Sequence, residues 1–388
     1  MRVMMVGGGT AGHVTPILAV AEAVVQICPT AELSYVGPRG DKNAQLVRDT
    51  ASKFHLFSIH AGKFRRYHNR SLLTHILDAE TNWLNFIDFF KLIIGALESF
   101  VMLIRYRPDV IFAKGGFVVV PVCTAARVLR IPYITHDSDM VVGLANRIIA
   151  PGALYNAVAS SEVKAYSQQK TIVTGIPLKS EYYAREDAAQ ATYKQKLGIA
   201  TDSILLFVIS GTQGATRIDD AVEAAAPDLL QQHKQLVIVH VFGRLNEHSM
   251  HSRYGNLSEE LRARLVTMSF VDAPYDYIAA ADIVVLRAGA TLLAECAAIG
   301  RALVVIPADA LTGGQQVKNA ELLEKAQTAR VIREKDLNQE YLTKVLNELI
   351  GDPAQRLQLA HKLRSNQAVN GAAAVAKLLL AAVRGGIK

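Results

Sequence analysis

A chain of 388 residues is long enough for two domains, each with its own core. Hydrophobic residues make up 51% of it, and the formal net charge is +7. That balance excludes a disordered acidic chain and favours anionic partners, such as nucleotides or an acidic membrane surface. The three cysteines, Cys28, Cys123 and Cys296, lie far apart in apolar contexts. Their spacing excludes a disulfide scaffold or zinc ribbon and fits core packing in a reducing cytoplasm.

Met1-Arg2 leads straight into an apolar strand, Val3 to Val6, so no signal peptide is expected. The run Gly7-Gly8-Gly9-Thr10-Ala11-Gly12-His13 follows, and Thr15 and Pro16 are expected to cap and open a helix. Strand, glycine loop and helix together aim backbone N–H groups at an anion. His13 is expected to be neutral beside the positive helix end and able to accept a proton. The second strand, about 32 to 36, ends in Gly37-Pro38-Arg39-Gly40-Asp41. It lacks the acid that closes a dinucleotide-binding strand, although Arg39 leaves an NADP-type reading open.

Residues 84–104 form the one candidate membrane span, and Asp88, Lys91 and Glu98 argue against it. The helical stripe Trp83, Phe86, Ile87, Phe90, Ile93, Ile94, Leu97, Phe100, Val101 and Ile104 is expected to pack into a core. Leu84, Phe89, Leu92 and Leu103 are then surplus. With Lys63, Arg65, Arg66 and Arg70 just upstream, surplus rings among Trp83, Phe86, Phe89 and Phe90 suit a peripheral patch on an anionic leaflet. A homodimer interface is the alternative.

A strand at 110–113 ends at Lys114-Gly115-Gly116, and one at 132–135 ends at His136-Asp137-Ser138-Asp139. The opening plan then restarts about two hundred residues on: strand 203–209, loop Ser210-Gly211-Thr212-Gln213-Gly214-Ala215, helix 217–231. Such a restart predicts α/β architecture with two doubly wound Rossmann-like domains facing a central cleft. The expected division is 1–175, with a C-terminal helix 365–388 packing back, and 176–364.

Five segments, in order and in register over nearly the whole chain, resemble the MurG-type glycosyltransferases of peptidoglycan synthesis (glycosyltransferase family 28). They are Gly8-Gly9-Thr10-Ala11-Gly12-His13, Lys114-Gly115-Gly116-Phe117, Gly211-Thr212-Gln213-Gly214-Ala215, Arg287-Ala288-Gly289-Ala290 with Glu295, and Gln315-Gln316 with Asn319-Ala320. The resemblance implies a GT-B fold and inverting transfer of N-acetylglucosamine from UDP-N-acetylglucosamine to an undecaprenyl-pyrophosphoryl-muramyl-pentapeptide. It implies peripheral attachment to the cytoplasmic face of the membrane. No cofactor or nucleic acid is expected, and no metal either, because Asp137-x-Asp139 is the only imitation of an Asp-x-Asp pair and two glycine-loop helix ends can carry the diphosphate charge.

Residue by residue, it implies donor contacts at Thr10, Gly12, Thr212, Gln213, Gly214, Val271, Arg287, Ala290, Thr291, Glu295, Gln315 and Gln316. Glu295 would hold the ribose hydroxyls. Acceptor and phosphate contacts would come from Gly8, Gly9, Gly115, Gly116 and Lys179. The candidate base is His13, neutral at its helix start, and Asp139, standing where the family has an asparagine, is the alternative. The chain departs from the family pattern at His136-Asp137-Ser138-Asp139, which replaces His-Glu-Gln-Asn, and at Ile176-Pro177-Leu178-Lys179, which replaces Asn-Pro-Val-Arg. The rival readings are a UDP-N-acetylglucosamine 2-epimerase, a non-catalytic lipid- or nucleotide-binding scaffold, and a metal site at Asp137 and Asp139.

Overall fold

The computed structural model describes residues 1–41, 47–48, 54–63, 79–183, 189–209, 211, 214–243, 253–255, 257–271, 274–309, 314–365 and 370–385. The chain divides into two compact units, Met1–Ser180 with Ala368–Lys388, and Glu181–Gln367.

The N-terminal unit holds seven parallel strands: β1 (Arg2–Val6), β2 (Glu32–Pro38), β3 (Phe54–Ile59), β4 (Val110–Ala113), β5 (Tyr133–Asp137), β6 (Tyr155–Val158) and β7 (Thr171–Val173), in the order β3-β2-β1-β4-β5-β6-β7. The other unit repeats this winding with β8 (Ile204–Ile209), β9 (Leu236–Val241), β10 (Leu265–Met268), β11 (Ile283–Leu286), β12 (Ala302–Val305) and β13 (Arg330–Val331), ordered β10-β9-β8-β11-β12-β13. Every residue of β4 and β11 is buried, as sheets covered on both faces require. In each sheet the order reverses beside the first strand, between β1 and β4 and between β8 and β11. Ligands of doubly wound folds bind outside the strand ends at that point. Two such parallel-sheet domains make the GT-B architecture.

The last helix, Gly371–Arg384, belongs to the N-terminal unit. Asn370 caps it by accepting from the Ala373 N–H at 3.0 Å. Its Ala372, Val375, Ala376 and Leu379 join Val14, Ile17, Leu18 and Val24 of the first helix in one core.

That first helix begins earlier than the sequence suggests. It runs Ala11–Ile27 with Thr10 as N-cap, so Pro16 is internal and neither Thr15 nor Pro16 starts it. Gly8 and Gly9 have positive φ and complete the turn by residue 9, so the chain becomes helical before the proline. Pro16 has no N–H for the Gly12 carbonyl, which loosens the helix just past His13.

The helix Ala79–Tyr106 turns outward most of the stripe expected in the core, leaving only Ile87 and Phe100 of it partly buried. Trp83, Phe86, Phe90, Ile93, Ile94, Leu97, Val101 and Ile104, expected in the core, are exposed, with Trp83 at 63% and Leu97 at 65%. Phe89 is exposed beside them, whereas Leu103 is fully buried. The buried line is instead Thr81, Asp88, Gly95, Ser99 and Leu103. Close approach is the cause: a Cβ on Gly95 would run into the His60 carbonyl, and one on Gly62 into the Asp88 carbonyl. Backbone therefore lies against backbone along a small, polar face. Glu98 fixes the register by accepting from the His60 N–H at 2.7 Å and from Arg39 at 2.7 Å. Among the described residues no helix is long and apolar enough to cross a membrane.

Candidate active site

In the N-terminal unit, the loops after β1 and β4 meet at the strand-order reversal. Gly116 has φ +82°, and a Cβ there would lie 2.7 Å from the Gly8 carbonyl and 3.3 Å from His13 Nδ1. The two loops touch because both are glycine. Between them the His13 ring is part-buried in the first turn of its helix.

Its Nδ1 lies 3.0 Å from the Gly8 carbonyl and 3.2 Å from Thr10 Oγ1. A carbonyl only accepts, so Nδ1 carries the proton and Nε2 keeps its lone pair. Nε2 faces the Gly115 backbone, 3.5 Å from where a Cβ would stand. Desolvation, reinforced by the Lys114 ammonium, pulls the His13 pKa down to about 4. The imidazole is therefore a neutral base at physiological pH.

Around it the structure gathers Lys114, Asp137 and Asp139, which the sequence names separately, into one charged cluster. Lys114, 4% exposed, closes the apolar strand β4, and burial lowers its pKa against the raising effect of Asp137 and Asp139. A lysine ending an otherwise apolar strand was the available signal. Asp139, the alternative base, lies close enough to act electrostatically on both His13 and Lys114. Asp137 is committed elsewhere: its carboxylate accepts from the Tyr166 hydroxyl at 2.5 Å and the Gly143 N–H at 3.3 Å. His136 is fully buried, and its Nε2 lies 2.9 Å from the Gly175 carbonyl, a structural placement. Among the described residues no group of three or more His, Cys, Asp or Glu side chains could hold a metal ion.

The supports of the dinucleotide reading are engaged otherwise. Arg39 is held by Glu98, and Asp41 accepts from the Gly9 N–H at 3.3 Å.

In the other unit the loop after β8 leads into the helix Thr216–Gln232, and the loop after β11 into the helix Ala290–Ile299. Gly214 turns with φ +84°, whereas Thr212 and Gln213 lie outside the described residues. The helices starting at Ala11, Thr216, Ala290 and Gln315 all lack a side-chain cap. Ser258, Asn338 and Asn370 do cap their helices. The helices starting at Val119 and Leu144 are uncapped too, so an uncapped start permits an anion at a helix end without marking one.

Glu295 is 7% exposed and lies beyond the first turn of its helix, so it is not there to complement the helix N-terminus. Gln315 and Gln316 open the helix Gln315–Lys325 from Gly314, where φ is +63°. Gln316 Oε1 accepts from the Ala308 N–H at 2.9 Å, and Asn319 donates to the Ala288 carbonyl at 3.0 Å, tying this helix start to the β11 loop. Arg287 is a tether: its guanidinium donates to Glu334 at 2.6 Å and to the Ile306 carbonyl at 3.2 Å. Ala290, Thr291 and Val271 are partly exposed, as is Lys179 in the other unit.

The glycosyltransferase family 28 N-terminal domain model matches residues 3–155, and the C-terminal domain model of the same family matches residues 205–378. The chain belongs to glycosyltransferase family 28. A family relative from Lachnoclostridium phytofermentans, named UDP-N-acetylglucosamine–N-acetylmuramyl-(pentapeptide) pyrophosphoryl-undecaprenol N-acetylglucosamine transferase, is 31% identical over 95% of this chain and 96% of its own length. Among solved structures, MurG of Acinetobacter baumannii superposes with a TM-score of 0.73 at 21% identity, covering 98% of this chain and 99% of that one. The fold is wider than the family. The UDP-N-acetylglucosamine 2-epimerase of Neisseria meningitidis, bound to UDP-N-acetylglucosamine, gives a TM-score of 0.65 at 12% identity over the full length of both chains.

Proposed function

We propose that this family 28 glycosyltransferase transfers N-acetylglucosamine from UDP-N-acetylglucosamine to a lipid-linked N-acetylmuramyl-pentapeptide, with inversion at the sugar carbon. The full-length similarity to a transferase of that name carries the reading. The five motifs support it, since they fall on the loops and helix starts where doubly wound folds bind ligands.

In this reading the C-terminal unit takes the donor. Glu295 accepts hydrogen bonds from the ribose, and Gln315 and Gln316 face the sugar with Ala290, Thr291 and Val271 around the nucleotide. Thr212, Gln213 and Gly214 supply donors to the diphosphate. Negative charge grows on that diphosphate as the glycosidic bond breaks, so preorganised N–H groups stabilise the leaving group. Thr10 and Gly12 complete the donor contacts, and Lys179 and Arg287 add positive charge.

The N-terminal unit takes the acceptor, with Gly8, Gly9, Gly115 and Gly116 beside its diphosphate. His13 Nε2, or failing it Asp139, accepts the acceptor hydroxyl's proton as the new bond forms. The rings Trp83, Phe86, Phe89 and Phe90 are all exposed and contact one another along one helix face, at centroid distances of 5.0 to 5.8 Å. They suit the lipid interface, and Lys63 and the residues Arg65, Arg66 and Arg70, which lie outside the described residues, suit anionic headgroups.

Release of UDP is the decisive measurement. Release that depends on the lipid-linked acceptor supports the transferase. Turnover of the sugar nucleotide alone, yielding an epimerised sugar, overturns it in favour of the epimerase. Absence of both with bound nucleotide leaves the scaffold reading.

A further inference from the structure

Residues 180–182 form a single helical turn, and Tyr182 at its end is 3% exposed. Its ring stands edge-on to Tyr275 at 5.1 Å and 88°, and Tyr275 stands edge-on to Tyr193 at 5.4 Å and 86°. The Tyr193 hydroxyl donates to that of Tyr275 at 3.3 Å. Three rings from the turn, the helix Pro274–Ala280 and the helix Ala189–Lys196 thus fix the direction of the Tyr182 phenol. At the end of this ladder the Tyr182 hydroxyl donates to the Glu295 carboxylate.

Packing alone would be served by phenylalanine. A hydroxyl buried this deeply requires a partner, and a carboxylate as buried as Glu295 requires donors to stay ionised. The hydrogen bond meets both needs at once. A carboxylate offers about four lone-pair positions, so it can accept from a phenol and from other donors at the same time. The vicinal hydroxyls of a ribose are a pair of such donors.

We propose that Tyr182 is a positioning residue that holds the Glu295 carboxylate for the 2′,3′-diol of a bound nucleotide and so sets the preference for a ribonucleotide. The inference rests on the reading of Glu295 as the ribose-binding carboxylate. It also gives the turn after Lys179 a role: one phenol clamps the start of the C-terminal unit to the residue that grips the sugar. Without that donor the carboxylate loses a contact that fixes its direction, which weakens its hold on two hydroxyls.

The experiment is calorimetric titration of the full chain with UDP and with 2′,3′-dideoxy-UDP, for wild type, Tyr182→Phe and Glu295→Gln. Tyr182→Phe keeps the ring against Tyr275, and its melting curve reports whether the fold is kept. Tyr275→Phe removes a hydroxyl from the same ladder and serves as the packing control. Wild type should favour UDP by about tenfold or more. Tyr182→Phe should lose most of that preference while binding dideoxy-UDP as wild type does, and Tyr275→Phe should keep it. Equal losses for both nucleotides in Tyr182→Phe would make the residue a packing group and overturn the proposal, as would an unchanged preference. If wild type itself, like Glu295→Gln, binds both nucleotides equally, the reading of Glu295 fails instead.

Discussion

At the residue scale, the His13 ring has one nitrogen tied to the Gly8 carbonyl and the other turned to the facing glycine loop. Its pKa of about 4 places the loss of the base well below the usual histidine range. The acid limb of kcat/KM should therefore fall near pH 4, not near 6.5, and the pH–rate profile checks it. Lys114→Met removes the cation that helps hold His13 neutral, so the limb should move upward in pH. His13→Ala should lower turnover by roughly 10²- to 10⁴-fold while UDP still binds. Retained turnover would transfer the role to Asp139. Truncating Glu295 to alanine should cost about 1.5–3 kcal/mol, or roughly ten- to hundred-fold in UDP affinity by calorimetry.

His136 carries a stability consequence. Burial, its largest cause, lowers its pKa to about 3, below the 6.5 of the unfolded chain. Between those values the unfolded state binds more protons, so stability is fully present above pH 6.5 and falls as pH drops toward 3. The slope from this one group approaches about 1.4 kcal/mol per pH unit. A His136→Gln variant should show a shallower acid dependence in denaturant titrations between pH 6 and 4.

At the scale of elements, the helix Ala79–Tyr106 teaches most. Its amphipathic period was plain in the sequence, yet most of the apolar stripe faces out. Periodicity gives the faces of a helix but not which of them a glycine contact will bring against the sheet. Gly95→Val should destabilise the N-terminal unit by roughly 2–3 kcal/mol or more, since the His60 carbonyl occupies the space of the new side chain. Thermal denaturation would register it. The same face makes the membrane reading testable. Wild type should co-sediment with anionic vesicles in a salt-sensitive way, and a Lys63/Arg65/Arg66/Arg70→Gln variant should bind less, each basic group contributing about 1 kcal/mol. Equal binding of the two would favour a homodimer through this helix, checked by sedimentation of the protein alone.

At the scale of the whole molecule, the chain closes its first unit with its last helix. Val375, Leu379 and Leu380 are buried there, and each such side chain is worth about 1.5–3 kcal/mol. Truncation before Asn370 should therefore remove on the order of 5 kcal/mol from the N-terminal unit, comparable to a domain's whole stability. Hydrogen exchange should show protection lost in β1–β7 and kept in β8–β13. Transfer should also persist in excess chelator, because Asp137 is engaged by Tyr166 and Gly143. Activity lost on chelation and restored by magnesium would put a metal at Asp137 and Asp139.

The sequence by itself determined the two-fold repetition of strand, glycine loop and helix, because glycine at positive φ and apolar runs are local requirements that residue identity expresses directly. The same local logic exposed the motifs at the strand ends and, with them, the family. Only the tertiary structure decided which nitrogen of His13 keeps a lone pair, that Lys114 stands buried beside it, and that Arg287 and Arg39 are tethers. It also decided that the helix at 11 begins before Pro16 and that most of the stripe from Trp83 to Ile104 faces outward. These outcomes depend on groups distant in sequence: a carbonyl from one loop, a carboxylate from another helix, a backbone that comes close only because a glycine permits it. Tyr182 and Glu295 stand 113 positions apart in the chain, and only folding joins them.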